Sequence, residues 1–186
     1  SRTATLALER SQAEQVVVAL PVFVAARVVQ NAPEFLRQAA RQVVYSPWLV
    51  ANIHLDRALH DRPGPAPSWD NVLYGGPGAS VGLGYVDATH QSLRALPGPT
   101  VLTHYRALGD VVGAATGAAV GAAGRTLLLD RPWSVWRDQI VRELSQAHPD
   151  LPSKATRIDI TRYGHAMAIP VPQSNGQIGH KPPSNI

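Results

Sequence analysis

The order of elements along the chain predicts an α+β fold, a mixed, mainly antiparallel sheet covered on one side by helices. Three observations carry that reading. A strand-like run followed by two helical stretches opens the chain, four short strand patterns punctuated by glycine and proline fill its middle, and a helix and an alternating strand close it. The 186 residues are 45% apolar, enough for a sizeable core.

Residues 3–9 alternate weakly, as a strand does. Gln15 to Leu20 is a short β-branched run of the kind buried on both faces of a parallel sheet, stopped by Pro21. Helices are expected at 22–30 and 33–43. Pro33 opens the second, Glu34 suits its positive N-terminal end, and Arg37 and Arg41 stand one turn apart. Residues 48–56 alternate as a strand, and the proline-rich run 62–67 must be a loop. Further strands are expected at 71–74, 82–88 and 100–107. Gly109 to Gly124 is almost wholly Gly, Ala and Val, and reads as a flexible or partly helical insertion. A helix at 134–148 takes Ser134 as N-cap, with Val135, Ile140 and Leu144 on its apolar side. The last strand, 156–163, alternates Ile158 and Ile160 with charged neighbours, and Gly164 permits a tight turn after it or a close approach to another group.

Composition narrows the function. Without cysteine there is no disulfide framework, thiolate metal site or Cys nucleophile. The net charge of +4 comes from scattered Arg residues with acids beside the closest groupings, not from a phosphate-tracking cluster, so nucleic acid is not the expected partner. No apolar run reaches the roughly 20 residues of a membrane span. No charged-then-apolar leader is visible, and a cytoplasmic location is the expectation. Residue 1 is Ser, and 173–186 is a turn-rich tail after a domain at 1–172. Such ends suggest a piece of a longer protein.

Chemistry-bearing motifs are few. Gly78-Ala79-Ser80-Val81-Gly82 matches the G-x-S-x-G nucleophile elbow, with Asp130 or Asp159 and His165 or His180 as conceivable partners. An elbow leads from a strand into a helix, whereas Leu83 to Val86 reads as strand. A serine hydrolase is therefore the alternative reading, beside a non-catalytic interaction module. The run before Gly124-Arg125-Thr126 lacks the lysine and first glycine of a phosphate loop, no G-x-G-x-x-G occurs, and the seven His show no metal-ligand spacing. Aromatic residues on or beside the strands can line an apolar pocket. The candidates for a substrate pocket are Trp48, Asn52, His54, Tyr74, Tyr85, Tyr105, Tyr163 and His165.

Three stretches, taken in order, resemble one family. Glu14-Gln15-Val16-Val17-Val18-Ala19-Leu20-Pro21 is similar to the strand-and-proline signature in the middle of flavin-containing amine oxidases and their phytoene-desaturase-like relatives. Ser46-Pro47-Trp48-Leu49-Val50-Ala51-Asn52-Ile53-His54-Leu55-Asp56 resembles the strand that supports that family's substrate cavity. Arg162-Tyr163-Gly164-His165-Ala166-Met167-Ala168-Ile169-Pro170 resembles the segment preceding its final FAD-binding stretch. The resemblance spans about residues 12–172. It implies a parent that binds FAD and oxidises its substrate by hydride transfer, and a chain that holds the substrate-binding region with one flanking FAD-domain strand. The family's dinucleotide fingerprint and closing Gly/Asp segment are absent, and neither Lys154 nor Lys181 falls on the strand where many amine oxidases place a lysine. The chain alone is accordingly expected to be inactive, to hold no FAD and to self-associate through its apolar strand at 15–20.

Overall fold

The structure is a computed structural model that describes residues 10–60, 68–73, 82–94, 96–109 and 118–169. The chain divides into two compact units, one formed by residues 44–175 and the other by 1–43 with 176–186.

In the second of these, two short helices follow an extended segment. Helix α1 (Val22–Val28) begins after Pro21, and α2 (Glu34–Gln42) begins after Pro33, each proline sitting where its missing N–H costs nothing. Arg37 closes onto Glu34 at 2.7 Å one turn away. The run before them departs from expectation. Residues 15–20 form no strand, and Val16, Val17 and Leu20 are exposed, Val17 to 91%. A β-branched run becomes a strand only when a neighbouring strand completes its ladder, and no described strand pairs with this one.

The larger unit is built on a five-stranded sheet in the order β2-β3-β4-β1-β5, from β1 (Val44–Leu55), β2 (Asp70–Asn71), β3 (Gly84–Asp87), β4 (Thr100–Ala107) and β5 (Ala155–Ile169). Every pairing among the described strands is antiparallel, consistent with the α+β reading, and no parallel pair makes the sheet mixed among them. Strand β1 is central and starts four residues before the stretch that alternation picks out, passing through Pro47. A central proline is tolerated because the β1–β5 register shifts there. Between the pairs Ser46–Met167 and Trp48–Tyr163, Pro47 alone stands opposite Gly164, His165 and Ala166, so the extra residues of the irregularity are on β5 and the regular ladder is interrupted at the proline. Its carbonyl still accepts the Leu108 N–H at 2.9 Å. Beyond the bulge, pairing resumes as Ser46 with Met167 and Val44 with Ile169. Strand β5 therefore does not turn at Gly164 but continues to Ile169.

Helices α3 (Ala118–Asp130), α4 (Trp133–Ala147) and the four-residue α5 (Leu151–Lys154) belong to the same unit. Helix α4 starts one residue earlier than expected, with Pro132 and not Ser134 at its N-cap. It buries Trp136, Ile140, Leu144 and Ala147, a stripe at helical spacing. Trp136, Ile140 and Leu144 meet Leu49, Ala51, Ile53 and Leu55 of β1 and Leu102 of β4 in one apolar cluster with Leu108, Leu128 and Leu151. Each such leucine or isoleucine contributes about 1.5–3 kcal/mol by leaving water. The glycine-rich insertion is helical from Ala118 onward, and Gly121 and Gly124 have a packing role. A Cβ at Gly121 would lie 2.8 Å from the Tyr45 carbonyl oxygen, and one at Gly124 would collide with the Leu108 carbonyl oxygen. Glycine lets the helix backbone touch the strand.

Candidate functional site: the open face of the sheet

Alternation along β1 sends Leu49, Ala51, Ile53 and Leu55 under the helices and Trp48, Val50, Asn52 and His54 to the opposite face, where they are partly exposed. The cross-strand register extends that second face into rows. At one end Trp48 lies between Tyr163 and Ala107, and the next row is Thr161, Val50, Tyr105 and Gly84. Then come Asp159, Asn52, Thr103, Val86 and Asp70, and finally Arg157, His54 and Val101. The face is thus aromatic and apolar at one end, hydrogen-bonding and charged at the other. The six residue steps from Trp48 to His54 separate those ends by about 20 Å at strand rise.

The polar end is internally connected. His54 Nε2 lies 2.9 Å from Asp159 Oδ2, and Arg157 Nε donates to Asp159 Oδ1 at 2.8 Å. The hydrogen bond from Arg157 holds the Asp159 carboxyl below the usual carboxylate range against the opposing effect of burial, with His54 adding to it. Asp159 is therefore an anion at neutral pH. Thr103 donates its hydroxyl to Asn52 Oδ1 at 2.9 Å. Towards the sheet edge, the Tyr105 hydroxyl donates to Asp70 Oδ1 at 2.7 Å, and burial together with that carboxylate pushes the phenol up to about 12.

Five of the pocket residues expected from sequence, Trp48, Asn52, His54, Tyr105 and Tyr163, share this face. His165 follows on β5 and packs edge-on against Tyr45, with ring centroids 6.1 Å apart. Tyr85 does not join them. It is 6% exposed on the helix-covered face, and its hydroxyl lies 2.6 Å from His148 Nε2. Tyr74 and Ser80 lie outside the described residues. Sequence reasoning passed over Thr103 and Arg157, and took Asp159 only as a hydrolase acid. Their signal was present as alternation, since Arg157, Asp159, Thr161 and Tyr163 are every second residue of one strand.

Among the described residues no three His, Asp or Glu side chains converge as a metal-holding group, and no helix is long and apolar enough to cross a membrane. A groove of about 340 Å³ between residues 88 and 101 meets the face only at the Thr100–Val101 end of β4.

Fold and face together define an α+β unit whose antiparallel sheet is sealed by helices on one side and offers a graded, half-exposed surface on the other. No protein-family model matches the chain, and no curated protein matches it.

Proposed function

We propose that this chain is the substrate-binding region of a longer FAD-dependent, amine-oxidase-like oxidoreductase, and that the open face is one wall of its substrate cavity. One relationship supports the reading most. The second and third stretches that resemble that family lie more than a hundred residues apart in sequence and become neighbouring strands, Trp48 opposite Tyr163 and Ser46 opposite Met167. The site that the resemblance implies is thus one continuous surface.

The chain's own residues bind and orient the substrate and shield it from water, while FAD, when bound by the parent, accepts the hydride. On this reading the cofactor's pyrophosphate is seated by the parent's other segments. The sequence of this chain holds no G-x-G-x-x-G to open a helix towards a phosphate. No redox step is therefore assigned to any residue here.

The test is the encoding reading frame. A G-x-G-x-x-G upstream and a Gly-Asp segment downstream support the proposal, and an open reading frame without either ends it. The isolated chain should purify colourless, without flavin absorbance. It should also sediment as dimers or larger species at micromolar concentration through the exposed Val16–Leu20 run, since unpaired β-branched backbone invites strand addition.

A further inference from the structure

The polar end of the open face has one acceptor whose protonation the geometry determines. Asp159 is ionised, and a carboxylate can only accept hydrogen bonds. His54 Nε2, 2.9 Å from Asp159 Oδ2, must therefore carry the proton and donate it into that contact. In the neutral imidazole the other nitrogen, Nδ1, then keeps its lone pair. Arg157 Nε, at 2.8 Å from the second oxygen, fixes the carboxylate from the far side, so the imidazole is held in orientation as well as in tautomer. The His54 and Asp159 side chains are each 40% exposed, which leaves the ring open to a ligand.

We infer that His54 Nδ1 accepts a hydrogen bond from the hydroxyl group of an otherwise apolar alcohol or phenol lying along the open face. The inference rests on the cavity-wall reading above, because it takes this ligand to be the cavity's substrate. Three features select the hydroxyl. A ligand ammonium would find no free carboxylate oxygen there, because Asp159 Oδ2 is taken by His54 and Oδ1 by Arg157. A ligand carboxylate could donate nothing to Nδ1. A hydroxyl is neutral, donates to Nδ1 and still accepts. Asn52 has used its carbonyl oxygen on Thr103 and keeps its amide N–H groups for such an oxygen, two residues along the same face from His54. The apolar remainder has Val50, Trp48 and Tyr163 beneath it in the adjoining rows.

The experiment uses the chain with 15N-labelled histidine and three probes of one shape: benzyl alcohol, benzylamine and toluene. Nitrogen NMR should show His54 protonated at Nε2 in the free chain. Benzyl alcohol should move the Nδ1 resonance saturably, while toluene and benzylamine leave it in place even where they shift the Trp48 and Tyr163 ring signals. Asp159→Asn should mix the two tautomers and weaken alcohol binding about tenfold, the scale of one hydrogen bond. If that variant fails to fold, His54→Ala, at a half-exposed strand position, should bind benzyl alcohol no better than toluene. An Nδ1–H tautomer in the free chain, an equal response to benzylamine, or no saturable alcohol shift overturns the inference. A flavin-free reading frame together with an alcohol-specific shift would remove the oxidoreductase reading and leave this site standing. The reverse pair of results would do the opposite.

Discussion

His104 Nε2 stands 3.5 Å from Glu143 Oε1 beneath the sheet, and the same carboxylate oxygen accepts the Gly82 N–H at 3.1 Å. The imidazole is 1% exposed, and among the described residues neither ring nitrogen has a hydrogen-bond partner within bonding geometry. The two residues thus differ in what they contribute. Glu143 satisfies a backbone donor, whereas His104 has, among the described residues, just the long contact to that carboxylate to offset the burial of its two nitrogens.

That asymmetry predicts opposite effects of two substitutions. Replacing a buried polar group that lacks partners by an apolar one of similar size is neutral or favourable. His104→Leu should leave stability unchanged or raise it by about 1 kcal/mol in urea unfolding. Glu143→Ala should cost about 1–2 kcal/mol, because the Gly82 N–H loses its acceptor. A large loss from His104→Leu would show that the imidazole is an essential hydrogen-bonding member of the core.

Lys154 is 4% exposed, and its ammonium group lies 2.6 Å from Asp150 Oδ2 and donates to the Ala58 carbonyl at 2.6 Å. Burial pushes the Asp150 carboxyl up, but the hydrogen bonds from Lys154 and the His60 N–H, with the lysine charge, hold it down at about 2. A depressed folded value means that this pair contributes stability above the ordinary 3.8, lost as pH falls towards about 2. Lys154→Met strands the carboxylate and should destabilise the fold by about 3 kcal/mol at neutral pH. Chemical unfolding followed from pH 6 down to about 2 should also show the variant losing less stability than the parent chain across that acid window.

The Tyr105 phenol, at about 12 against an ordinary 10.0, is displaced in the other direction. Its folded value is raised, so its contribution is complete below about 10 and disappears as pH climbs through about 12. Asp70→Asn removes the acceptor charge and should bring the phenolate transition to lower pH in an ultraviolet titration. No movement would mean that burial alone sets the value.

Gly124→Ala should destabilise the larger unit by about 3 kcal/mol or more, since a Cβ there meets the Leu108 carbonyl oxygen and the Pro47 ring. Alanine at exposed Ala122's neighbouring position is already tolerated, as Ala123 shows, and alanine is the better helix former. A stabilised Gly124→Ala variant, measured by thermal melting, would contradict the close helix–strand contact.

Period-two and helical patterning alone located β4 at residues 100–107, α4 to within a residue, and the alternation that brings Trp48, Asn52 and His54 to one side of a strand. Those features arise from neighbours in the chain, whose side-chain directions are set by backbone geometry. Patterning misjudged the places where a distant partner decides. It began β1 at Trp48 although pairing with β5 carries the strand back through Pro47 to Val44. It took Gly164 as a tight turn or close approach although β1 pairs on both sides of it, and read the valines of 15–20 as a strand although no described strand flanks them. Register across the sheet is likewise invisible in one chain segment, because it depends on which hydrogen-bond ladder two remote strands share. Only that register put Asp159 against His54, and with it the acceptor on which the proposed ligand site depends.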